Sequence, residues 1–371
     1  MIYFDNAATT FPKPKSVIRS TVECIRKYCA NPGRSSHALS IFTSEKIYEA
    51  REKISEFLGI ESPERVVFTQ NATHALNLAI KTTVKDGEHV LISDLEHNSV
   101  LRPVHAMTEE CNVSYSVFDT SNLESSIESL LRPNTRHIVS TAASNVIGRR
   151  IDLSLLSDIA KRHSLTLIVD ASQLIGHSKI DLKETPCNVL CAPGHKGLYG
   201  IQGSGFLVFM DDTPRSPIFH GGSGNESRSK SMPELLPERF EAGTLPSPSV
   251  ISLIEGINFI EQIGIENIER EISRLTNRCA DMIKNIKNTV LYEYGNGIIS
   301  FNVLGIPSEA VSRELSKHGI CTRSGLHCAP LAHRTIGTDG IGTVRISLSY
   351  LNKSSQLERF YKALLSICKT A

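Results

Sequence analysis

Leu165-Thr166-Leu167-Ile168-Val169-Asp170-Ala171-Ser172-Gln173 is the stretch on which the fold turns. Its opening residues are apolar without strict alternation, the pattern of a strand buried on both faces of a parallel sheet. The acid that closes the run then lies at the carboxyl edge of the sheet, where open α/β sheets receive ligands. Asp170 in that place reads three ways: a metal ligand, a cap for the segment that follows, or the partner of a cationic ring nitrogen. Downstream, Ala192-Pro193-Gly194-His195-Lys196-Gly197-Leu198-Tyr199-Gly200-Ile201-Gln202-Gly203-Ser204-Gly205 sets a lysine among glycines. Such a backbone turns tightly and leaves the lysine free to enter a cavity. An acid after a buried strand and a lysine in a glycine-rich turn together suggest pyridoxal 5'-phosphate. That cofactor needs a Schiff-base lysine, and an acid that keeps its pyridine nitrogen protonated so that the ring accepts electrons.

The same beat extends outward from this stretch. Short runs at Arg65-Val66-Val67-Phe68-Thr69, His89-Val90-Leu91-Ile92, His137-Ile138-Val139-Ser140 and Gly205-Phe206-Leu207-Val208-Phe209 read as further strands, with a helix over 72–81. Strands alternating with longer amphipathic segments predict an α/β domain. Between residues 221 and 248 the composition shifts to Gly, Ser, Pro and charge, which predicts a long loop. Beyond it, a long helical region over 250–287, a strand at 297–301, a helix at 308–318, a strand at 343–347 and a final helix over 354–367 predict a smaller α+β lobe.

Composition narrows the function. In 371 residues, 40 Lys and Arg against 39 Asp and Glu leave a net charge of +1, without the basic footprint of a nucleic-acid binder. No apolar run approaches the roughly 20 residues that a membrane helix requires. The opening Met1-Ile2-Tyr3-Phe4-Asp5 lacks a basic segment followed by an apolar one, so a cytoplasmic protein without secretory leader is expected. The nine cysteines, at 24, 29, 111, 187, 191, 279, 321, 328 and 368, include no pair spaced for a metal clip, and no metal is expected. Reduced thiols, mostly small buried hydrophobes, are the default reading. Cys328 stands apart: Arg323-Ser324-Gly325-Leu326-His327-Cys328 gives it a neighbouring histidine, an arginine and a glycine, the setting of a thiolate nucleophile.

Seven motifs follow one another in a familiar order: Tyr3-Phe4-Asp5-Asn6-Ala7-Ala8-Thr9-Thr10, Glu96-His97, Ser144-Asn145-Val146-Ile147-Gly148, Val169-Asp170-Ala171-Ser172-Gln173, Gly194-His195-Lys196, Arg239-Phe240-Glu241-Ala242-Gly243-Thr244 and Arg323-Ser324-Gly325-Leu326-His327-Cys328-Ala329. Over essentially the whole chain this resembles the cysteine desulfurases, of the class V aminotransferase fold (fold type I of the pyridoxal phosphate enzymes). The resemblance implies a large domain over 15–250 with a mostly parallel, mixed seven-stranded sheet flanked by helices. Residues 1–14 and 251–371 then form the small domain.

Carried over position by position, the resemblance makes Lys196 the Schiff-base lysine and proton shuttle, Asp170 the partner of the pyridine nitrogen, and Gln173 a donor to the phenolic oxygen of the cofactor. His97 stacks on the ring and Asn145 lies beside that oxygen and the substrate. His195, Ala72 and Thr73 serve the phosphate. For Thr73 the role also follows from physics, since a helix N-terminus offers free N–H groups to an anion. Thr244 is similar to the residue that reaches the phosphate of a neighbouring subunit, which implies a homodimer with sites at the interface. Arg345 matches the substrate-carboxylate arginine, Arg323 orients the cysteine segment, His37 and Asn6 line the substrate side, and Cys328 accepts sulfur as a persulfide. Pro193, which cannot donate, replaces a Ser or Thr of many relatives, and His74 replaces a Glu. The implied activity is conversion of L-cysteine to L-alanine with sulfur mobilised toward an acceptor protein, as in iron–sulfur cluster biogenesis. Selenocysteine lyase is the nearest alternative, and a class V aminotransferase a further one. The short stretch between Arg323 and Arg345 resembles the group with a compact cysteine loop.

Overall fold

A computed structural model describes residues 1–33 and 36–369. The last two positions of the expected small domain, 370 and 371, lie outside the described residues. A seven-stranded sheet runs in the order Val66–Thr69, Gly205–Phe209, Val189–Pro193, Thr166–Asp170, Thr135–Thr141, His89–Ser93, Ser114–Phe118. Only Gly205–Phe209 opposes its neighbours; the other pairings are parallel. The sheet is therefore the mixed, mostly parallel one expected. Two of its strands, Ser114–Phe118 and Val189–Pro193, carry no apolar run of the kind that marks the other five.

Successive side chains leave the strands on opposite faces, so each strand feeds two cores. Val90, Ile92, Val139 and Ile168 pack with Ala75, Leu76, Ala79, Val100 and Val104 of the helices Ala72–Thr83 and Asn98–Glu110. Leu91, Ile138, Leu167, Val169 and Leu190 pack on the other face with the helices Ala38–Leu58, Leu153–Arg162 and Ser247–Ile263. The helical region expected over 250–287 is made of two helices, Ser247–Ile263 and Ile265–Lys284, parted at Gly264, whose φ of +86° no helix accepts. No helix or strand occurs among residues 210–246, in keeping with the long loop predicted there.

A second, antiparallel sheet joins Arg323–Gly325, Thr343–Ser347, Ile298–Val303 and Thr289–Gly295. Its core, with Phe301, Ile346 and Phe360, also takes Phe4 from the first residues of the chain. Ile2–Tyr3 pairs in parallel with Ile320–Cys321. The two sheets meet where the turn at residues 144–148 faces the hairpin at 295–297: Ser300 Oγ donates to Val146 O at 2.6 Å and Asn296 Nδ2 to Gln173 O at 2.6 Å.

Candidate active site

Thr141, Asp170 and Pro193 end three neighbouring strands, and all three line a cavity of about 310 Å³ at the carboxyl edge of the large sheet. From the resemblance, Ala72, Thr73, His97, Asn145, Asp170, Gln173, His195, Lys196, Arg323 and Arg345 also line it. The structure thus brings together the lysine, the acid and both arginines from segments far apart in the chain.

The turn after the strand Val189–Pro193 presents Lys196. It is held by Tyr199 N donating to Lys196 O at 2.9 Å and Thr10 Oγ1 donating to the same oxygen at 2.7 Å. The glycine that follows is required by packing, since a Cβ on Gly197 would meet Ile175 O at 2.0 Å. Burial draws the Lys196 amine down to about 8; Asp170 opposes this, and Arg345 and Arg323 add to it. Burial pushes the Asp170 carboxyl up, while Ser172, whose N donates to Oδ1 at 2.9 Å, and Lys196 pull it down. Of the readings open for Asp170, the cap takes a local form: Oδ1 accepts from Ser172 N, and the segment it holds is a turn, not a helix.

His97 is the N-cap of the helix Asn98–Glu110: its Nδ1 accepts from Ser99 N at 3.1 Å. Because that backbone N–H donates, Nδ1 carries no proton, and burial, with Lys196 and Arg323, holds the ring neutral with a pKa of about 4. The remaining proton is on Nε2. Thr73 Oγ1 lies 2.8 Å from Ser99 Oγ, joining the first turns of two helices beside the cavity. Asn71 caps the first of them by accepting from His74 N at 2.9 Å. His74 itself turns away: its Nδ1 accepts from Gln70 N at 3.3 Å and its ring meets Phe219 edge-on.

Arg345 is buried at 1% exposure. Its NH1 donates to Asn145 O at 3.0 Å and its NH2 pairs with Asp5 at 2.8 Å, while Nε has no partner. Gln173 Nε2 donates to Ala7 O at 3.1 Å. Cys328 is exposed and does not itself line the cavity; it adjoins it through Arg323, a lining residue whose Nη2 donates to the Cys328 Sγ at 3.3 Å. The other thiols include five buried ones, at 24, 187, 191, 279 and 368. Burial pushes Cys24 and Cys187 up to about 12, which disfavours thiolate.

Three expected site residues lie away from this cavity. Asn6 is spent on the N-terminal segment, donating from Nδ2 to Ser347 O at 2.8 Å and to Asn352 Oδ1 at 3.2 Å. His37 is exposed and caps the helix Ala38–Leu58, its Nδ1 accepting from Ser40 N at 3.2 Å. Thr244 is exposed on the long loop. Conversely, Asp5 and Glu96 hold site groups to which the residue-by-residue reading gave no role. Glu96 has no exposed surface, and its Oε1 accepts from Thr141 N at 2.7 Å and from Ser93 Oγ. Both stood inside recognised motifs, but neither contact is visible at their sequence separations.

The cavity fits pyridoxal phosphate on its own chemistry. A buried amine and a buried carboxyl share it, His195 Nδ1 is buried without a partner, and helix N-termini supply N–H groups for an anion.

Residues 2–360 match the family model described as aminotransferase class-V. The chain is 32% identical over 380 residues to a probable cysteine desulfurase of Methanothermobacter thermautotrophicus, covering 99% of this chain and 94% of that one. It is 30% identical over 388 residues to a probable cysteine desulfurase of Pyrococcus abyssi, covering 100% and 95%. The apo structure of the cysteine desulfurase from Thermococcus onnurineus NA1 superposes with a TM-score of 0.91 at 29% identity, covering all of this chain and 95% of the other. The chain belongs to the class V aminotransferase family, alongside the cysteine desulfurases, whose members depend on pyridoxal phosphate.

Proposed function

We propose that the protein is a cysteine desulfurase that converts L-cysteine to L-alanine and takes the sulfur onto Cys328 as a persulfide. The observation that carries this reading is the exposed Cys328 thiol, 3.3 Å from the guanidinium of Arg323, which lines the cavity that holds Lys196 and Asp170. When bound, pyridoxal phosphate supplies an electron sink for charge developing at the substrate Cα. Lys196, drawn down to about 8, anchors the cofactor and then moves the Cα proton near neutral pH. Asp170 would hold the pyridine nitrogen, Gln173 and Asn145 would address the phenolic oxygen, and His97 would cover the ring. His195, Ala72 and Thr73 would hold its phosphate, and Arg345, which lines the cavity, receives the substrate carboxylate.

Cys328 as thiolate attacks the substrate sulfur. The new S–S bond takes its electron pair from the thiolate, the Cβ–S pair passes to the carbon skeleton, and protons taken up there complete alanine. L-cysteine plus a thiol thus gives L-alanine plus a persulfide, with no external oxidant. Arg323, donating to Sγ at 3.3 Å, orients the thiol for attack.

The short stretch from Arg323 to Arg345 supports the compact-loop reading, with a persulfide handed to a dedicated acceptor protein, and iron–sulfur cluster biogenesis is the use we assign to that sulfur. A homodimer accounts for Thr244, which stands exposed in one chain and reaches the phosphate of a second copy. Exposed Ile18, Val22 and Ile25 on one face of the helix Lys15–Lys27 support the same arrangement. A reducing cytoplasm suits nine unpaired cysteines, and a division into 15–250 and 1–14 with 251–371 suits the two sheets.

The test is Cys328→Ala in the holoenzyme, with alanine and sulfide quantified under dithiothreitol. Desulfuration of L-cysteine is expected to fall at least a hundredfold while the visible absorption band of the cofactor stays intact. Undiminished sulfide release overturns the assignment.

A further inference from the structure

His327 and Cys328 are consecutive, neither is glycine, and both occupy the left-handed region, at φ of +50° and +58°. Backbone held there persists only where its surroundings fix it. Three hydrogen bonds do so. Asn98 N donates to Cys328 O at 2.7 Å, Ala329 N donates to Leu326 O at 2.9 Å, and Asn145 Nδ2 donates to His327 O at 2.8 Å.

The His327 side chain adds a fourth hold. The residue is only 2% exposed, its Nε2 lies 3.1 Å from Thr343 Oγ1, and its ring lies 5.4 Å from that of His333. His333 is itself wholly buried, with Nδ1 2.7 Å from Thr338 Oγ1. Burial, with Arg345, His333 and Arg323, keeps the His327 imidazole neutral, so it adds no charge to a site already holding two guanidinium groups. One residue therefore has two anchors. Its carbonyl is bound to Asn145, whose own carbonyl receives Arg345, and its ring is bound to the strand that carries Arg345.

We propose that His327 is a positioning residue for sulfur transfer. By tying the thiol turn to the same two elements that hold Arg345, it sets the distance between Cys328 and a substrate whose carboxylate Arg345 receives. The thiol is then presented on a fixed turn rather than a swinging one. This rests on Cys328 being the attacking thiol.

The experiment measures kcat and KM for alanine formation from L-cysteine, with dithiothreitol, in the holoenzyme. It also measures the rate at which iodoacetamide alkylates Cys328, read by mass spectrometry. His327→Gly removes the ring but leaves the left-handed backbone accessible. We expect kcat to fall tenfold or more, KM to stay within threefold, and alkylation of Cys328 to change at least threefold. A His327→Gly enzyme with all three values within twofold of the wild type overturns the inference. If that variant loses the cofactor, Thr343→Val decides: a kcat lowered threefold or more at unchanged KM upholds the role, and an unchanged kcat overturns it. Cys328→Ala, assayed in parallel, separates the two readings. Undiminished turnover there removes the attacking thiol itself, whereas a dead Cys328→Ala beside a normal His327→Gly removes only the positioning role.

Discussion

Glu96 has no solvent contact, yet only one of its carboxylate oxygens is bonded; Oε2 is buried without a partner. Burial first, then the field of Asp170, pushes its pKa up to about 8, against the pull of Ser93 and Thr141. The folded protein therefore keeps a proton on Glu96 that the unfolded chain releases near the ordinary glutamate value of 4.5. The stabilisation is complete below that value and is lost as pH rises toward 8. Glu96→Gln is a permanently uncharged isostere. Its melting temperature relative to wild type is expected to rise between pH 5 and pH 8, by an amount on the order of a few kcal/mol of stability. Thermal melts of both proteins across that range check it, and parallel curves would show Glu96 ionised throughout.

Among the elements, the turn at residues 144–148 joins the two sheets through Val146 O, which accepts from Ser300 Oγ, and Asn145 O, which accepts from Arg345. Gly148 has φ of +66°, and a Cβ there would stand 1.9 Å from Gly295 O on the opposing hairpin. Gly148→Ala meets both the left-handed penalty and a backbone overlap, and should cost roughly 2–5 kcal/mol. It should also weaken cofactor retention, since Asn145 belongs to the same turn; urea unfolding and the absorbance of the purified protein read the two effects. This scale also divides what the sequence makes legible from what it does not. The strands at 66, 89, 135, 166 and 205 are apolar on both faces and announce themselves. Ser114–Phe118, at the sheet edge and half-exposed along most of its length, has no such run. Val189–Pro193 ends in a proline and merges into the glycine-rich turn, which hides it. The site follows the same rule. Lys196, Asp170 and Cys328 stand in local motifs, whereas the Asp5–Arg345 pair spans 340 positions and the Asn145–His327 contact 182, and no local pattern encodes either.

For the whole molecule, the expectation is a dimer. Sedimentation of the holoenzyme should give a particle of twice the chain mass. Ile25→Glu, which puts a charge at a position 60% exposed in the single chain, should shift it toward monomer and lower cofactor retention through loss of Thr244. A monomeric wild type would leave Thr244 without a role. The first ten residues carry a different consequence. They pair with Ile320–Cys321, meet Arg345 through Asp5, receive Gln173 at Ala7 and hold Lys196 O through Thr10. Every one of those partners is synthesised long after them. On the ribosome the opening segment meets Gln173 and Lys196 midway through synthesis, but its strand pairing and its Asp5–Arg345 pair wait for residues 320–345, so the cavity closes late and the contact order is high. A ribosome stalled before residue 345 would hold a large sheet that folds, with Asp170 and Lys196 in place, beside a cavity still open on the side that Arg345 closes.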